Sequence, residues 1–372
     1  MPRRDQQSFA IQSLLYGQRV PYDRLPTVCE TLLLGDTAEL RVKLLLSEAK
    51  ITEQLPEKLS GGRISFRRIG PHQVSGEMRL AFGRDSFRKV EGSFTLLQHP
   101  RFSVVWVLLT DARGPFLRHL LKKGLWTVHP RPAAPILRTE QLESLLTRFS
   151  SNTRVSDIRV SQVGSRARIP GRDTKVSLME TDRRWTSRTI NDIFEKARED
   201  NAWITDIALD YALAPRSGRG YLRVGRYGEY RVSRYAIDAF DLIDASCEMA
   251  AERYHFLHNR DRTRATHYRS RPFVIDFSFP VLSSVEDIKR LHGAVTTLPN
   301  TASVVLHGNP FYHVAVTDYA DGSMFEVVSF SPTYVAVIPQ GRATVRALTA
   351  LCSAVFANFQ EGALREVDEA AG

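Results

Sequence analysis

The sequence predicts a mixed α+β protein of two or three domains, with mixed, largely antiparallel sheets covered by helices. Three observations lead there. The chain has 372 residues, enough to bury more than one core. Short runs of alternating apolar and polar residues recur along it, separated by Gly-, Pro- and Asp-rich turns. Helical patterns flank groups of these runs. In the last hundred residues the order β-α-β-β-β-β-α implies one sheet covered by helices.

The elements follow in order. In "AELRVKLLLSEAKI", Leu40, Val42, Leu44 and Leu46 alternate with Glu39, Arg41 and Lys43, a strand pattern that a helix would also tolerate. After the breaker "LSGGR", the runs "RISFRRI", "QVSGEMRLAFGR", "KVEGSFTLLQ" and "RFSVVWVLLTD" read as four strands. "GPFLRHLLKKGL" reads as a helix, with Pro115 in its first turn and Gly124 at its stop. "HPRPAAP", residues 129–135, carries three prolines and reads as a linker. "RTEQLESLLTRFS" is a helix with Thr139 as its expected cap.

"RVSDIRVSQVGSR" and "TKVSLMETD" read as strands, "SRTINDIFEKAREDN" as a helix and "AWITDIALDYAL" as a strand. A hairpin is expected next, with Tyr221–Val224 out, residues 225–228 turning and Glu229–Arg234 back. "AIDAFDLIDASCEMAAERYHFLHNR" is a long amphipathic helix, and "DRTRATHYRSR" a basic loop. The last unit opens with the strand "PFVIDFSFP" and a helix capped through Ser284 and Asp287. Strands "TASVVLHG", "FYHVAVTDY", "SMFEVVSFS" and "TYVAVIPQ" follow. A closing helix places Val345, Leu348, Cys352, Val355, Phe356 and Phe359 on one face. The expected domains are 1–135, basic and β-rich; 136–271, basic α+β with the hairpin; and 272–372, acidic and apolar α+β.

The charge is distributed unevenly. Residues 1–150 hold 23 Lys+Arg against 14 Asp+Glu, and residues 151–271 hold 23 against 17. Residues 272–372 reverse the balance, with 5 against 10, inside a total of +10. Only nine of the 51 basic residues are lysine. Arginine suits bidentate phosphate contacts, and GC-rich codon usage is the competing explanation. There is no run of eighteen apolar residues, and the opening "MPRRDQQSFAIQSLLYGQRV" lacks the apolar stretch of a signal peptide. A cytoplasmic protein without a membrane span is therefore expected. The three cysteines, Cys29, Cys247 and Cys352, are far apart and form neither a disulfide framework nor a zinc motif.

The densest basic stretch is "RSGRGYLRVGRYGEYRVSRY", with six arginines, four tyrosines and one acid. Folded as a hairpin, it buries Leu222, Val224, Tyr230 and Val232 on one face. The other face presents Tyr221, Arg223 and Arg231, with Arg226 and Tyr227 at the tip and Arg216, Arg219 and Arg234 at the base. A two-stranded ribbon fits a duplex major groove, and interleaved Tyr and Arg suit single-stranded bases. A salt-bridged solvent face is the plainer reading. A second basic cluster, Arg260, Arg262, Arg264, Arg269 and Arg271, follows the long helix, where arginine also favours the helix C-terminus. Arg67–Arg68 and Lys122–Lys123 add charge as minor candidates.

Catalytic motifs are weak. No Gly-rich phosphate loop, nucleophile elbow or His-Glu-x-x-His occurs. Asp36 with Glu48 and Lys50, and Asp276 in "VIDFS", loosely resemble the carboxylate sets of metal-dependent nucleases. His255 and His258 share a helix face, and His307, His313, Asp318, Asp321 and Glu326 gather in the last unit. Turn chemistry and helix amphipathicity account for these without catalysis. The resulting expectation is a nucleic-acid-binding accessory subunit of a larger intracellular complex, with no cofactor and no catalytic or metal residue assigned. On type alone, a prokaryotic defence or mobile-element complex is one home for such a subunit. DNA or RNA would be held by the basic part, and residues 272–372 would dock a protein partner or self-associate. The alternatives are a divergent Mg-dependent nuclease and a protein-only scaffold.

Overall fold

A computed structural model describes residues 19–33, 39–82, 88–168, 178–183, 189–213, 218–262, 270–277, 279–308 and 311–367. The fold is mixed α+β, as the sequence predicts, and every strand pairing resolved residue by residue is antiparallel. Two compact units divide the chain. The first comprises Met1–Ser165, Thr181–Glu199 and Ile204–Ala251; the second comprises Arg166–Glu180, Asp200–Trp203 and Glu252–Gly372. The boundary expected at 135/136 falls inside the first unit, and the one at 271/272 falls inside the second.

In chain order the elements are helix α1 (Leu25–Leu33), strand β1 (Glu39–Leu46), β2 (Lys58–Leu59), β3 (Gly62–Gly70), β4 (Gln73–Phe82), β5 (Arg88–Gln98) and β6 (Val105–Thr110). Helix α2 (Gly114–His119) runs on into a π-helical turn, Leu120–Gly124, and a short 3-10 turn, Leu125–Thr127. Next come α3 (Thr139–Ser150), β7 (Val155–Arg168), β8 (Leu178–Arg183), α4 (Ile190–Glu199), β9 (Ala202–Leu213), β10 (Arg219–Gly225), β11 (Glu229–Ser233) and α5 (Ala236–His258). Among the described residues they build one eleven-stranded sheet, in the order β2-β3-β4-β5-β6-β1-β11-β10-β9-β7-β8.

The sheet has two kinds of cover. On one face, the α2 segment buries Phe94, Leu96, Trp106, Leu108, Phe116, Leu120 and Leu125 into a single core. Each of these large side chains contributes roughly 1.5–3 kcal/mol on burial. The other face of the central strands carries Val42, Leu222, Val224 and Val232, all buried. There, Tyr211 meets Phe149 of α3 edge-on at 5.0 Å, and the Tyr230 hydroxyl bonds Ser246 of α5.

Two local expectations change. Residues 129–135 do not run as a loose linker: Ala133 exchanges both backbone hydrogen bonds with Leu46, at 2.8 and 2.9 Å, and so extends the β1 ladder. Thr139 is not the cap of α3. Its hydroxyl accepts from Ile204 N at 3.0 Å in β9, while Gln141 Oε1 accepts from Arg138 N at the helix start.

The second sheet contains β12 (Phe273–Asp276), β13 (Thr301–His307), β14 (Tyr312–Asp318), β15 (Ser323–Ser329), β16 (Tyr334–Pro339) and β17 (Ala363–Glu366), in the order β13-β14-β15-β16-β12-β17. Helices α6 (Val285–Thr296) and α7 (Val345–Asn358) complete it. Ser284 and Asp287 form the predicted reciprocal cap. The face of α7 read from sequence is buried from Val345 to Phe359. Strand β17 lies in a segment that carried no strand pattern; it pairs with β12.

Candidate nucleic-acid interface

The hairpin forms where expected, with β10 and β11 joined through residues 226–228. Its placement differs from a projecting ribbon. β10 also pairs with β9, and β11 also pairs with β1, so both outer edges of the hairpin are occupied. A two-stranded ribbon enters a major groove only with those edges clear, and here both are occupied. The driving force is the apolar stripe of β1, whose buried Leu40, Val42 and Leu44 continue the surface of Val232 and Tyr230.

The polar face is as alternation predicts. Tyr221, Arg223 and Arg231 are partly exposed, whereas Leu222, Val224, Tyr230 and Val232 are buried. Register adds a residue that sequence reasoning passed over. Arg231 stands directly opposite Arg223 on one side and Arg41 on the other. The three arginines form a row across β1, β11 and β10, spanning about 10 Å at ordinary strand spacing. Like charges directly opposed destabilise a sheet unless compensated. Glu39 compensates two of them, pairing with Arg41 at 2.7 Å and with Arg231. Asp206 on β9 pairs with Arg223 at 2.6 Å. The Arg231 guanidinium also lies 5.4 Å from the Tyr221 ring. Burial pushes the Tyr221 hydroxyl above its usual pKa, against the pull of Arg231 and Arg223.

The remaining candidates fare unequally. Arg219 is exposed and bonds Asp157 through its carboxylate, at 2.5 Å, and its carbonyl, at 2.9 Å. Arg234 is exposed at a left-handed backbone position, φ 70°. Arg226 is fully buried at 0% exposure, so it presents nothing to a phosphate. Its backbone explains why: Arg226 N donates to Thr205 O at 2.9 Å, and its carbonyl accepts from Leu137 N at 2.6 Å. The adjoining Gly228 has φ 68° and faces Leu44 and Pro135 so closely that a Cβ would lie 2.7 Å from Pro135 Cγ. The tip is thus packed against β1 and the 133–137 segment. Tyr227 is partly exposed, and its carbonyl accepts from Lys43 Nζ at 2.8 Å.

The second cluster belongs to the second unit. Arg260 is buried, stacks over the Phe256 ring at 3.4 Å and pairs with Glu366, so it is structural and not a contact surface. Arg262 donates from its backbone to Ala343 O at 2.8 Å, and its guanidinium reaches Pro339 O at 3.3 Å. Arg271 is exposed. Arg216, Arg264 and Arg269 lie outside the described residues, as does Asp36. Of the minor candidates, Arg68 donates to Thr52 O at 2.7 Å and Lys123 to Ser60 O at 2.7 Å.

The carboxylates of the nuclease alternative are dispersed. β1 ends at Leu46, so Glu48 and Lys50 are not on a strand, and Lys50 pairs with Glu53 at 3.4 Å. Asp276 is held by Arg365 at 3.1 Å. Among the described residues no three His, Cys, Asp or Glu side chains gather as an ion site. In the second unit, His313 bonds Glu326 at 2.9 Å, while Arg346 ties Asp318 and Asp321 to the start of α7. The chain matches no protein-family model, and no curated protein is significantly similar to it.

Proposed function

We propose that the chain binds nucleic acid as an accessory subunit, through the arginine row of β1, β11 and β10, which lies beside the α2 core on one face of the large sheet. The observation that supports this most is the row Arg41–Arg231–Arg223 with Tyr221 beside it. Three guanidiniums share two carboxylates there, in a chain of net charge +10. Exposed ion pairs are worth only about 0–1 kcal/mol, so a phosphate displaces a carboxylate at small cost. Counterion release then favours the polyanion. A tyrosine beside a row of arginines suits a single strand, whose bases stack on the ring while guanidiniums hold the backbone.

The test is fluorescence anisotropy against single- and double-stranded DNA and RNA over a salt series. Single strands should bind more tightly than duplexes. Replacing Arg41, Arg223 and Arg231 together with Ala should flatten the salt slope by about two units, at ~0.7 per lost contact. Unchanged affinity and slope in a folded triple variant would sink the proposal. One observation favours a protein-only scaffold instead: Arg41, Arg219, Arg223 and Arg231 each already have a carboxylate. No salt-sensitive binding to any polymer would leave that reading standing.

A further inference from the structure

The six-stranded sheet ends on β13, and among the described residues no strand lies beyond it. Val304, Val305 and Leu306 are 61%, 48% and 54% exposed. They are consecutive, so in this stretch side chains on both faces of the strand reach solvent. An edge of this kind is a template for another strand. Natural edges are usually blunted by lysine, proline or inward charge, and "TASVVLH" contains none of these. One register irregularity, between Val305 and His307, leaves Thr301–Val305 in regular pairing with β14. At the same end of the sheet Phe311 and Phe330 are 49% and 64% exposed, with ring centroids 6.2 Å apart. Scattered apolar residues need no explanation, but a contiguous group on an open edge does.

We infer that β13 is a self-association edge, pairing antiparallel with β13 of a second copy about a two-fold axis near Ser303–Val304, at the middle of the strand, to join two six-stranded sheets. The argument for a second copy is electrostatic. A two-fold contact opposes each residue to a residue of the same strand, so any charge near the axis would face its like. Thr301–Leu306 of β13 contains no Lys, Arg, His, Asp or Glu, which satisfies that condition. It equally offers nothing to a charged partner strand. Residues 272–372 around it are net acidic, so two copies repel at long range, and salt screens that repulsion. The dimer should therefore tighten as salt rises. Nucleic-acid binding should weaken over the same range, so the two readings fail separately.

The experiment is sedimentation equilibrium of the full chain, at roughly 1–100 μM, in low and high salt. It is run beside V304K and single-cysteine variants S303C, V304C and T317C. The expected result is a dimer that strengthens with salt and weakens at least about tenfold in V304K, where two lysines meet. Under mild oxidation, S303C or V304C should cross-link to its own copy, because strand neighbours lie within disulfide reach. T317C, one strand inward on β14, should not. The three native cysteines are buried and give little background. The cysteine variants leave the strand uncharged, so they report even if V304K folds poorly. A monomer at every concentration would overturn the inference. So would a dimer that ignores V304K, or cross-linking no greater at Ser303 and Val304 than at Thr317.

Discussion

Arg226 and Arg231 stand five residues apart on one hairpin and have opposite fates. Arg231 keeps part of its side chain in water beside Glu39, whereas Arg226 is buried under the turn. Arg226→Ala should therefore cost stability, about 2–4 kcal/mol through lost packing, with no direct effect on a salt slope. Arg223→Ala should change stability by less than about 1 kcal/mol, since its pair with Asp206 is partly exposed. Denaturant titration of both variants checks this, and equal effects would contradict it. Lys43 gives a second contrast. It is buried, with Glu229 at 2.8 Å and the Tyr227 carbonyl at 2.8 Å. Burial lowers its pKa, and Glu229 opposes that shift. A buried lysine with a depressed pKa is penalised while protonated, and the penalty fades as pH rises toward its ordinary 10.5. Glu229→Gln should thus cost roughly 1–3 kcal/mol at pH 7 and less at pH 10. A pH-independent cost would count against this pairing. Alternation in the sequence was enough to place Arg223 and Arg231 on one face. Arg41 was not legible as their neighbour, because 190 residues separate it from Arg231 and only tertiary pairing sets their register.

At the scale of elements, capping decides which contacts matter. Helix α5 starts on a carboxylate from α1: Glu30 Oε2 accepts from Ala236 N at 2.6 Å and Ile237 N at 3.1 Å. A buried acid at a helix N-terminus satisfies orphan amides and meets the positive end of the dipole. Glu30→Ala should cost about 1–2 kcal/mol by thermal or denaturant unfolding. An unchanged midpoint would remove this role. The turn before β15 is tied to α7 in a similar way, with Asp321 accepting from Thr344 Oγ1 at 2.6 Å and Arg346 Nε at 2.9 Å. Burial pushes the Asp321 carboxyl up, but hydrogen bonds from Ser323, Thr344 and Arg346 hold it below its ordinary value of 3.8. Its stabilisation is therefore present above pH 4 and lost as pH falls through the folded pKa. Asp321→Asn should cost about 1–3 kcal/mol at pH 7, and the cost should shrink as pH falls below 4, as unfolding midpoints measured across that range would show. The Ser284 cap was readable because its partner sits three residues away; Glu30 lies more than 200 residues from the amides it caps and left no local signal.

At the scale of the whole molecule, the large sheet crosses the boundary that composition suggested. Residues 1–135 supply β1 to β6 and residues 136–271 supply β7 to β11, joined along the β1–β11 ladder. Cutting there would expose a long apolar edge, so a fragment of residues 1–135 should aggregate more readily than the full chain under the same conditions. A well-dispersed amide spectrum from the fragment would argue otherwise. High pH probes the cores as a set. Burial pushes the Cys29 and Cys352 thiols up to about 12 and raises the Tyr211, Tyr230 and Tyr312 hydroxyls. Raised acids keep full stability below their ordinary values near 9–10 and lose it as pH climbs toward the folded pKa. Unfolding midpoints should fall steeply above about pH 10.

Local pattern was enough for the fold class, for most elements though not for α1, β2 or β17, and for the inward faces of the hairpin and of α7. Those are properties of local period: two for strands, 3.6 for helices, with glycine, proline and caps as punctuation. Tertiary structure alone decided which strands became neighbours. That choice converted a candidate ribbon into the middle of a sheet, buried Arg226 and Arg260, and drew Arg41 into line with Arg231 and Arg223. The physical reason is that register and partner choice depend on apolar surfaces far apart in the chain, and no local pattern encodes which two will meet.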